Sequence, residues 1–143
     1  MLVTSPDEFA VSYRLGSDPA QVGRAREQAR KALPGWGLGE HADLAELVVS
    51  ELVTNAMVHG EGPIEVRLSC ACGDLWAEVH DHGPGRPVRQ RPGIEDERGR
   101  GLQLIDGLIY MYGGARGVVE DSNGPGKSVY VAVPLGGSPA GAR

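Results

Sequence analysis

The sequence predicts an α/β fold of the α+β type, a two-layer sandwich in which helices pack on one face of a mostly antiparallel, mixed sheet. Three observations predict it. Several short segments alternate between apolar and polar residues, as half-buried strands do. Segments with an apolar stripe at helical spacing lie between them. Short turns rich in glycine join neighbouring strands, which indicates antiparallel hairpins.

Five strands follow from the alternation. In the first, Phe9, Val11 and Tyr13 alternate with small or polar neighbours, so one face of the strand is apolar. A turn around Cys72 and Gly73 joins the second strand to the third. The predicted strands span residues 8–15, 64–70, 75–81, 115–121 and 128–135.

Three helices are predicted between these strands. The first begins at Asp18, whose side chain can accept a hydrogen bond from an early helical N–H, and it runs to about Leu33. The second begins within residues 40–43 and ends at Gly60, a residue type suited to the left-handed conformation that often follows a helix. The third covers residues 101–112.

The bulk composition indicates one globular domain. A length of 143 residues is enough for one core and too short for two cores of normal volume. We expect the domain to span residues 8–135, between an amino-terminal tail at 1–7 and a disordered tail at 136–143. Residues 84–100 are rich in Gly, Pro and charge, which indicates a mobile loop.

Charge and hydropathy argue against two classes of partner. The net charge is -5, and Lys and Arg are scattered along the chain, so there is no electrostatic footprint for a nucleic-acid backbone. No run approaches the roughly 18 apolar residues that span a bilayer, and the amino terminus has no secretion-signal pattern. We therefore expect a cytoplasmic protein that binds neither nucleic acid nor membrane.

Glu51 and Asn55 are the first pair of candidate functional residues. They stand four residues apart, so they project from the same face of the second helix, where Leu and Val otherwise form the apolar stripe. A carboxylate can take a proton from an attacking hydroxyl, and an amide oxygen can bind Mg²⁺. The pair therefore suits phosphoryl transfer, although a solvated helix face would have the same spacing.

A second candidate motif follows the third strand. Asp81 ends that strand just before Gly83 and Gly85, and the two glycines permit close approach of a ligand to the backbone. An aspartate at this position can accept a hydrogen bond from the exocyclic amine of adenine. The structural alternative is an ordinary Asp-Gly turn.

A third motif opens the last helix. Gly99 and Gly101 flank Arg100 directly before the predicted helix, where bare N–H groups and the positive end of the helix dipole suit a phosphate. A generic glycine turn at a helix start is the alternative. The later Gly-Lys-Ser at 126–128 is not a P-loop, because Asp121 stands where that motif needs glycine and a strand follows instead of a helix. Ser128 remains a candidate because its hydroxyl could reach the base side of a pocket.

Taken together, the three motifs resemble the GHKL superfamily of ATP-binding domains, and within it the small anti-sigma factor serine/threonine kinases of bacteria. Residues 51–60 (ELVTNAMVHG) are similar to the N box, 81–85 (DHGPG) to the D-x-G-x-G box, and 99–105 (GRGLQLI) to the second glycine box. The likeness covers residues 8–135. It implies the GHKL ATPase fold.

The resemblance also implies a role for each residue. Asn55 would hold ATP through Mg²⁺, Glu51 would be the general base, and Asp81 would bind the adenine amine. The implied base pocket, lid and phosphate side comprise Gly83 and Gly85, an ATP lid at residues 84–100, and Gly99, Arg100, Gly101 and Leu102, with Ser128 near the base. Arg100 is also a candidate for contact with a partner protein.

Two functions remain open from the sequence. By resemblance, the chain is an anti-sigma factor that phosphorylates a Ser or Thr of an anti-anti-sigma partner and sequesters a sigma factor. The alternative is a non-catalytic, nucleotide-gated module that binds a regulator without phosphoryl transfer. The likeness allows a homodimer, and the short chain argues against a two-component sensor kinase with its own phosphoacceptor-histidine domain.

Overall fold

The structure is a computed structural model that describes residues 9–83 and 97–136, without the side chains of residues 97–101. Its elements follow the predicted order, with one short 3-10 turn at Gly39–His41 before the second helix. The elements are β1 (Phe9–Leu15), α1 (Gln21–Gly35), α2 (Ala42–His59), β2 (Ile64–Ala71), β3 (Asp74–Asp81), α3 (Glu97–Tyr112), β4 (Ala115–Glu120) and β5 (Lys127–Pro134).

The strands form a five-stranded sheet in the order β1-β2-β3-β5-β4. Each neighbouring pair in this sheet is antiparallel. The two-layer α/β prediction is confirmed, and the parallel pairing that a mixed sheet would contain does not occur among the described strands. After β3 the chain runs through α3 to β4, which lies at the edge of the sheet. The last strand, β5, then lies between β4 and β3.

The core lies between the sheet and helix α2. One face of α2 is buried, and Val49 and Val53 are completely enclosed. The strands contribute alternate residues to this core, as the period of two requires: in β2 these are Ile64, Val66 and Leu68. Apolar burial of this kind is the main favourable term that holds the two layers together.

Helix α1 packs against α2 through a narrow stripe of small residues. Ala25, Ala29 and Leu33 are fully buried, so the two helices approach closely. Helix α1 begins at Gln21, three residues after the predicted start at Asp18, and Asp18 acts in the turn before it: its Oδ1 accepts the N–H of Ala20 at 3.0 Å and its carbonyl accepts the N–H of Gln21 at 2.8 Å. The aspartate thus satisfies N–H groups that the helix itself leaves open.

The tight turn between β2 and β3 is also as predicted. Cys72 has φ 55° and Gly73 has φ 81°, which are the values of a two-residue type I′ hairpin turn. This turn lies at the opposite end of β3 from Asp81. In the described parts of the chain, no helix combines the length and apolar character that crossing a membrane requires.

Two further helix ends differ from the sequence prediction. Gly60 follows α2 with φ -104° and ψ -169°, so the predicted left-handed conformation is wrong and the backbone there is extended. Helix α3 begins at Glu97, four residues before the predicted start at Gly101. The predicted glycine turn at 99–101 is therefore helical and lies within the first five residues of α3.

Candidate functional site

The candidate site is centred on the carboxylate of Asp81, at the last residue of β3. Asp81 is only 1% exposed, although it carries a charge. Its Oδ1 atom accepts two hydrogen bonds, one from the Gly83 N–H at 2.7 Å and one from the Lys127 ammonium at 3.0 Å. A buried carboxylate needs such donors, because its transfer out of water is otherwise very unfavourable.

Gly60 allows the end of α2 to approach this carboxylate. A Cβ atom at position 60 would lie 2.4 Å from the Asp81 carboxyl carbon, a distance that real Cβ contacts do not show. The backbone conformation at position 60 is extended, and any residue type could adopt it. Glycine is required there because a side chain would collide with the carboxylate. It places the main chain after α2 directly against the acidic group.

Gly83 is also packed against this carboxylate, next to Gly60. A Cβ there would lie 3.0 Å from Asp81 Oδ1 and 3.2 Å from the Glu61 nitrogen. The neighbouring His82 N–H donates to the Glu61 carbonyl at 2.9 Å, which ties the chain after β3 to the chain after α2. Gly83 is thus packed against protein atoms, with the Asp81 carboxylate nearest, and the predicted approach of a ligand to its backbone stays a prediction.

Lys127 is the residue that the sequence argument missed. It is the direct cross-strand partner of Asp81 in the β3–β5 ladder and is 2% exposed. The sequence did contain a signal for its orientation, because Lys127 is in phase with Val129, Val131 and Val133 on the buried face of β5. In the rejected P-loop interpretation this lysine would have bound phosphate.

Asn55 lies near the same end of α2 as Gly60. It is 6% exposed, and within the described residues its side-chain oxygen has no hydrogen-bond partner. Asn55 precedes Gly60 by five residues, or about 7.5 Å of helical rise. An unpaired buried amide oxygen is uncommon in proteins and suits a site that a metal ion or a hydrogen-bond donor completes.

Glu51 lies one turn further from Gly60 along α2. It is half-buried, and it lines a groove of about 320 Å³ together with Arg26 of α1 and Ser50. This groove opens on the side of α2 that faces α1. The structure therefore brings Asp81 and Gly83 to the Gly60 end of α2, with Asn55 and then Glu51 on the preceding turns of the same helix.

Ser128 is on the opposite face of the sheet from Asp81. It pairs with His80 across β3 and β5 and lines a polar groove of about 580 Å³ that also includes Arg14 and Arg67. Side chains of successive strand residues point to opposite faces, so Lys127 and Ser128 cannot both reach Asp81. This corrects the expectation for Ser128: the strand supplies an ammonium to the site instead of a hydroxyl.

The remaining predicted site residues lie at the edge of the described structure. Gly85 and residues 84–96 of the predicted lid lie outside it. Gly99, Arg100 and Gly101 are the third to fifth residues of α3, and in a helix that begins at Glu97 the N–H of Gly99 is the one of these three without an intrahelical partner. Leu102 is half-buried and packs against the core.

Comparison with known proteins identifies the class. The model of the histidine kinase-like ATPase domain family matches residues 15–119, which is most of the chain and includes Asn55, Asp81 and α3. The chain therefore belongs to this family, in agreement with the resemblance to the GHKL superfamily.

The chain is also similar to a solved structure. It is the Acinetobacter baumannii histidine kinase AdeS, which is 11% identical in sequence with a TM-score of 0.48; the match covers 89% of this chain and 68% of AdeS. Among curated proteins, none matches the chain.

The described residues fit the ligand that this family binds. Domains of the histidine kinase-like ATPase family bind ATP, usually together with Mg²⁺. The side-chain oxygen of Asn55 is buried and has no hydrogen-bond partner among the described residues, and amide oxygens are ligands that Mg²⁺ accepts. The carboxylate of Asp81 can accept a hydrogen bond from an amine, and the backbone of Gly60 and Gly83 packs against it.

Proposed function

We propose that this chain is an ATP-binding regulatory protein that phosphorylates a serine or threonine of an anti-anti-sigma partner and holds a sigma factor inactive. The observation that carries the nucleotide part is the buried Asn55 oxygen, which has no partner among the described residues and is close in sequence to the glycine contact with Asp81. A polar atom left in this state is unfavourable unless a ligand completes it.

In this proposal Asn55 holds Mg²⁺, which supplies charge neutralisation at the phosphates when it is bound. Asp81 accepts a hydrogen bond from the adenine amine. Glu51 takes the proton of the target hydroxyl while the hydroxyl oxygen bonds to the γ-phosphorus, the bond to the bridging oxygen breaks, and ADP leaves. Glu51 is half-buried, so its carboxylate is open to a partner on one side.

The regulatory part of the proposal rests on the sequence resemblance. A kinase of this kind would exchange partners: it holds the sigma factor until a dephosphorylated anti-anti-sigma protein competes for it. Coupling of this kind needs a nucleotide that binds one state of the protein better than the other. The sigma factor and the anti-anti-sigma protein are therefore the expected partners.

Nucleotide binding is tested by calorimetry with MgATP. We expect Asn55→Ala to weaken binding by about 10- to 100-fold, which is the usual cost of losing a charge-assisted contact. The matched control is Thr54→Ala, because Thr54 is the exposed neighbour on the same helix. Equal affinity of Asn55→Ala and the wild type would reject the assignment of the metal-side residue.

Phosphoryl transfer is tested with labelled ATP and candidate anti-anti-sigma proteins. Glu51→Gln should keep its affinity for MgATP and lose transfer by about 10²- to 10⁴-fold, because it removes only the proton acceptor. Glu40→Gln, at an exposed position before α2, is the control. Absence of transfer by the wild type to every partner that it binds would overturn the kinase function.

A second function is favoured by the surroundings of Glu51. Its groove is shared with Arg26 and Ser50 on the side of α1, which suits a binding surface as well as a catalytic base. The chain would then be a nucleotide-gated module that sequesters a regulator without phosphoryl transfer. In that case Glu51→Gln would leave regulation intact, whereas Asn55→Ala would still weaken the binding of ATP.

A further inference from the structure

We propose that Lys127 reads the nucleobase together with Asp81, by donating a hydrogen bond to the ring nitrogen N1 of adenine. This inference rests on the proposed function, because it assigns a specificity-determining residue within the same ATP site. It makes the Asp81–Lys127 pair an acceptor and a donor placed side by side.

The strand register fixes the pair. Asp81 and Lys127 are direct cross-strand partners on the buried face of adjacent antiparallel strands, where Cβ atoms lie about 4.5–5.5 Å apart. Gly126, just before Lys127, has φ 143° and lies against the backbone of the same β3 end: a Cβ there would be 3.2 Å from the Asp81 carbonyl oxygen. The ammonium is therefore held at the carboxylate by the sheet itself.

The hydrogen bonds leave capacity for a ligand on both groups. An ammonium carries three N–H donors, and among the described residues the Lys127 ammonium has one acceptor, Asp81 Oδ1. Oδ1 also takes the Gly83 N–H, so among the same residues Oδ2 is the carboxylate oxygen without a recorded donor. The pair can thus donate to one ligand atom and accept from another.

Adenine presents the matching pattern. Its exocyclic amine is a donor, and the adjacent N1 is an acceptor without a hydrogen. With the amine on Asp81 and N1 on Lys127, both buried charges gain a further partner, and neither is left to face an apolar ring alone. A base without an acceptor at this position would leave a buried ammonium N–H unsatisfied, and this is where the discrimination arises.

The test uses the wild-type protein with ATP analogues in calorimetry. 1-Deaza-ATP replaces N1 by C–H, and 7-deaza-ATP makes the same change on the opposite side of the purine as a matched control. We expect 1-deaza-ATP to bind about 10- to 100-fold more weakly than ATP, with 7-deaza-ATP within about threefold of ATP. Equal binding of ATP and 1-deaza-ATP would overturn the inference.

A Lys127→Met variant tests whether Lys127 is the group that contacts N1. Lys127→Met keeps the length of the side chain and removes the donor, so it should bind ATP and 1-deaza-ATP with affinities within about threefold of each other. A folded Lys127→Met protein that still discriminates as the wild type does would contradict the role of Lys127. If Lys127→Met does not fold, the analogue comparison on the wild type still decides.

The outcomes separate this inference from the proposed function. If the wild type binds no ATP, the ATP site itself is wrong and the inference fails with it. If the wild type binds ATP, Asp81→Asn weakens that binding, and 1-deaza-ATP binds as well as ATP, only the role of Lys127 fails. GTP that binds more tightly than ATP would also contradict the assignment, because guanine carries a hydrogen on N1.

Discussion

At the scale of single residues, the site depends on backbone that comes unusually close to a charge. Gly60 and Gly83 both approach the Asp81 carboxylate: a Cβ at Gly60 would lie 2.4 Å from its carboxyl carbon, and one at Gly83 would lie 3.0 Å from Oδ1. Such close packing holds the carboxylate in one orientation. A carboxylate that accepts a directional hydrogen bond from a ligand benefits from this constraint, since the side chain loses less conformational entropy when the ligand binds.

Gly60→Ala tests this packing. The added methyl group meets the carboxylate of Asp81, so we expect a loss of about 1–3 kcal/mol in the free energy of unfolding, as for other overpacked sites. Gly23→Ala in the exposed part of α1 is the control, because nothing lies within 4 Å of its new Cβ. Removal of a helical glycine there should stabilise the protein by about 0.5–1 kcal/mol. Urea denaturation measures both, and equal effects would refute the argument.

Tyr13 gives the stability a pH dependence at high pH. Burial raises the pKa of Tyr13 from 10.0 to about 12, and its hydroxyl donates to the Ala25 carbonyl at 3.2 Å. The unfolded chain then loses this proton at lower pH than the folded chain, so stability falls as the pH rises from about 10 towards 12. Below pH 10 the contribution of the neutral phenol is fully present.

Tyr13→Phe checks the sign. The variant cannot ionise at this position, so its stability relative to the wild type should rise between pH 9 and about pH 11.5. Urea midpoints of both proteins at each pH measure the difference, and the titration of other groups cancels between them. A constant difference across this range would show that Tyr13 does not contribute.

At the scale of elements, periodicity predicted the strands and helices well because each has one buried face. The strands match to within one residue at every end, and the Cys72–Gly73 turn follows directly from its residue types. What periodicity could not predict was the start of α3, since the residues before Gly101 carry almost no apolar pattern. The order of the strands was also undetermined, because local signals do not say that β5 lies between β3 and β4.

The candidate site shows the same limit. Asn55 and Asp81 were predictable because a polar residue on an apolar face is visible in the sequence. Gly60 was interpreted as a helix terminator, whereas its role is steric and depends on the distant Asp81. Lys127 was missed and Ser128 chosen because the choice between them depends on the face of β5 that meets the helices, and only the complete register of the sheet sets that face.

At the scale of the whole molecule, the packing is uneven across the sheet. Strands β2 and β3 lie in the middle of the sheet and contribute many fully buried residues to the core. Strand β4 is at an edge, pairs only with β5 in the described structure, and has no fully buried residue. Local opening should therefore be easiest at β4, where few apolar contacts resist it.

Native-state hydrogen exchange tests this unevenness. We expect the amides of β4 to exchange at least about tenfold faster than those of β3, which corresponds to about 1.4 kcal/mol less protection. The comparison uses the hydrogen-bonded amides of each strand, so that exposed loop positions do not enter. Equal protection of β3 and β4 would mean that the whole sheet opens as one unit.

The enclosed Asp81–Lys127 pair also constrains how this sequence can change over evolutionary time. Loss of either partner leaves an isolated charge in the interior, at a cost of about 3–5 kcal/mol against a total stability of about 5–15 kcal/mol for a typical domain. A lineage that replaces one residue is therefore under immediate selection at the other. Positions 81 and 127 should covary among homologues, although 46 residues separate them in the chain.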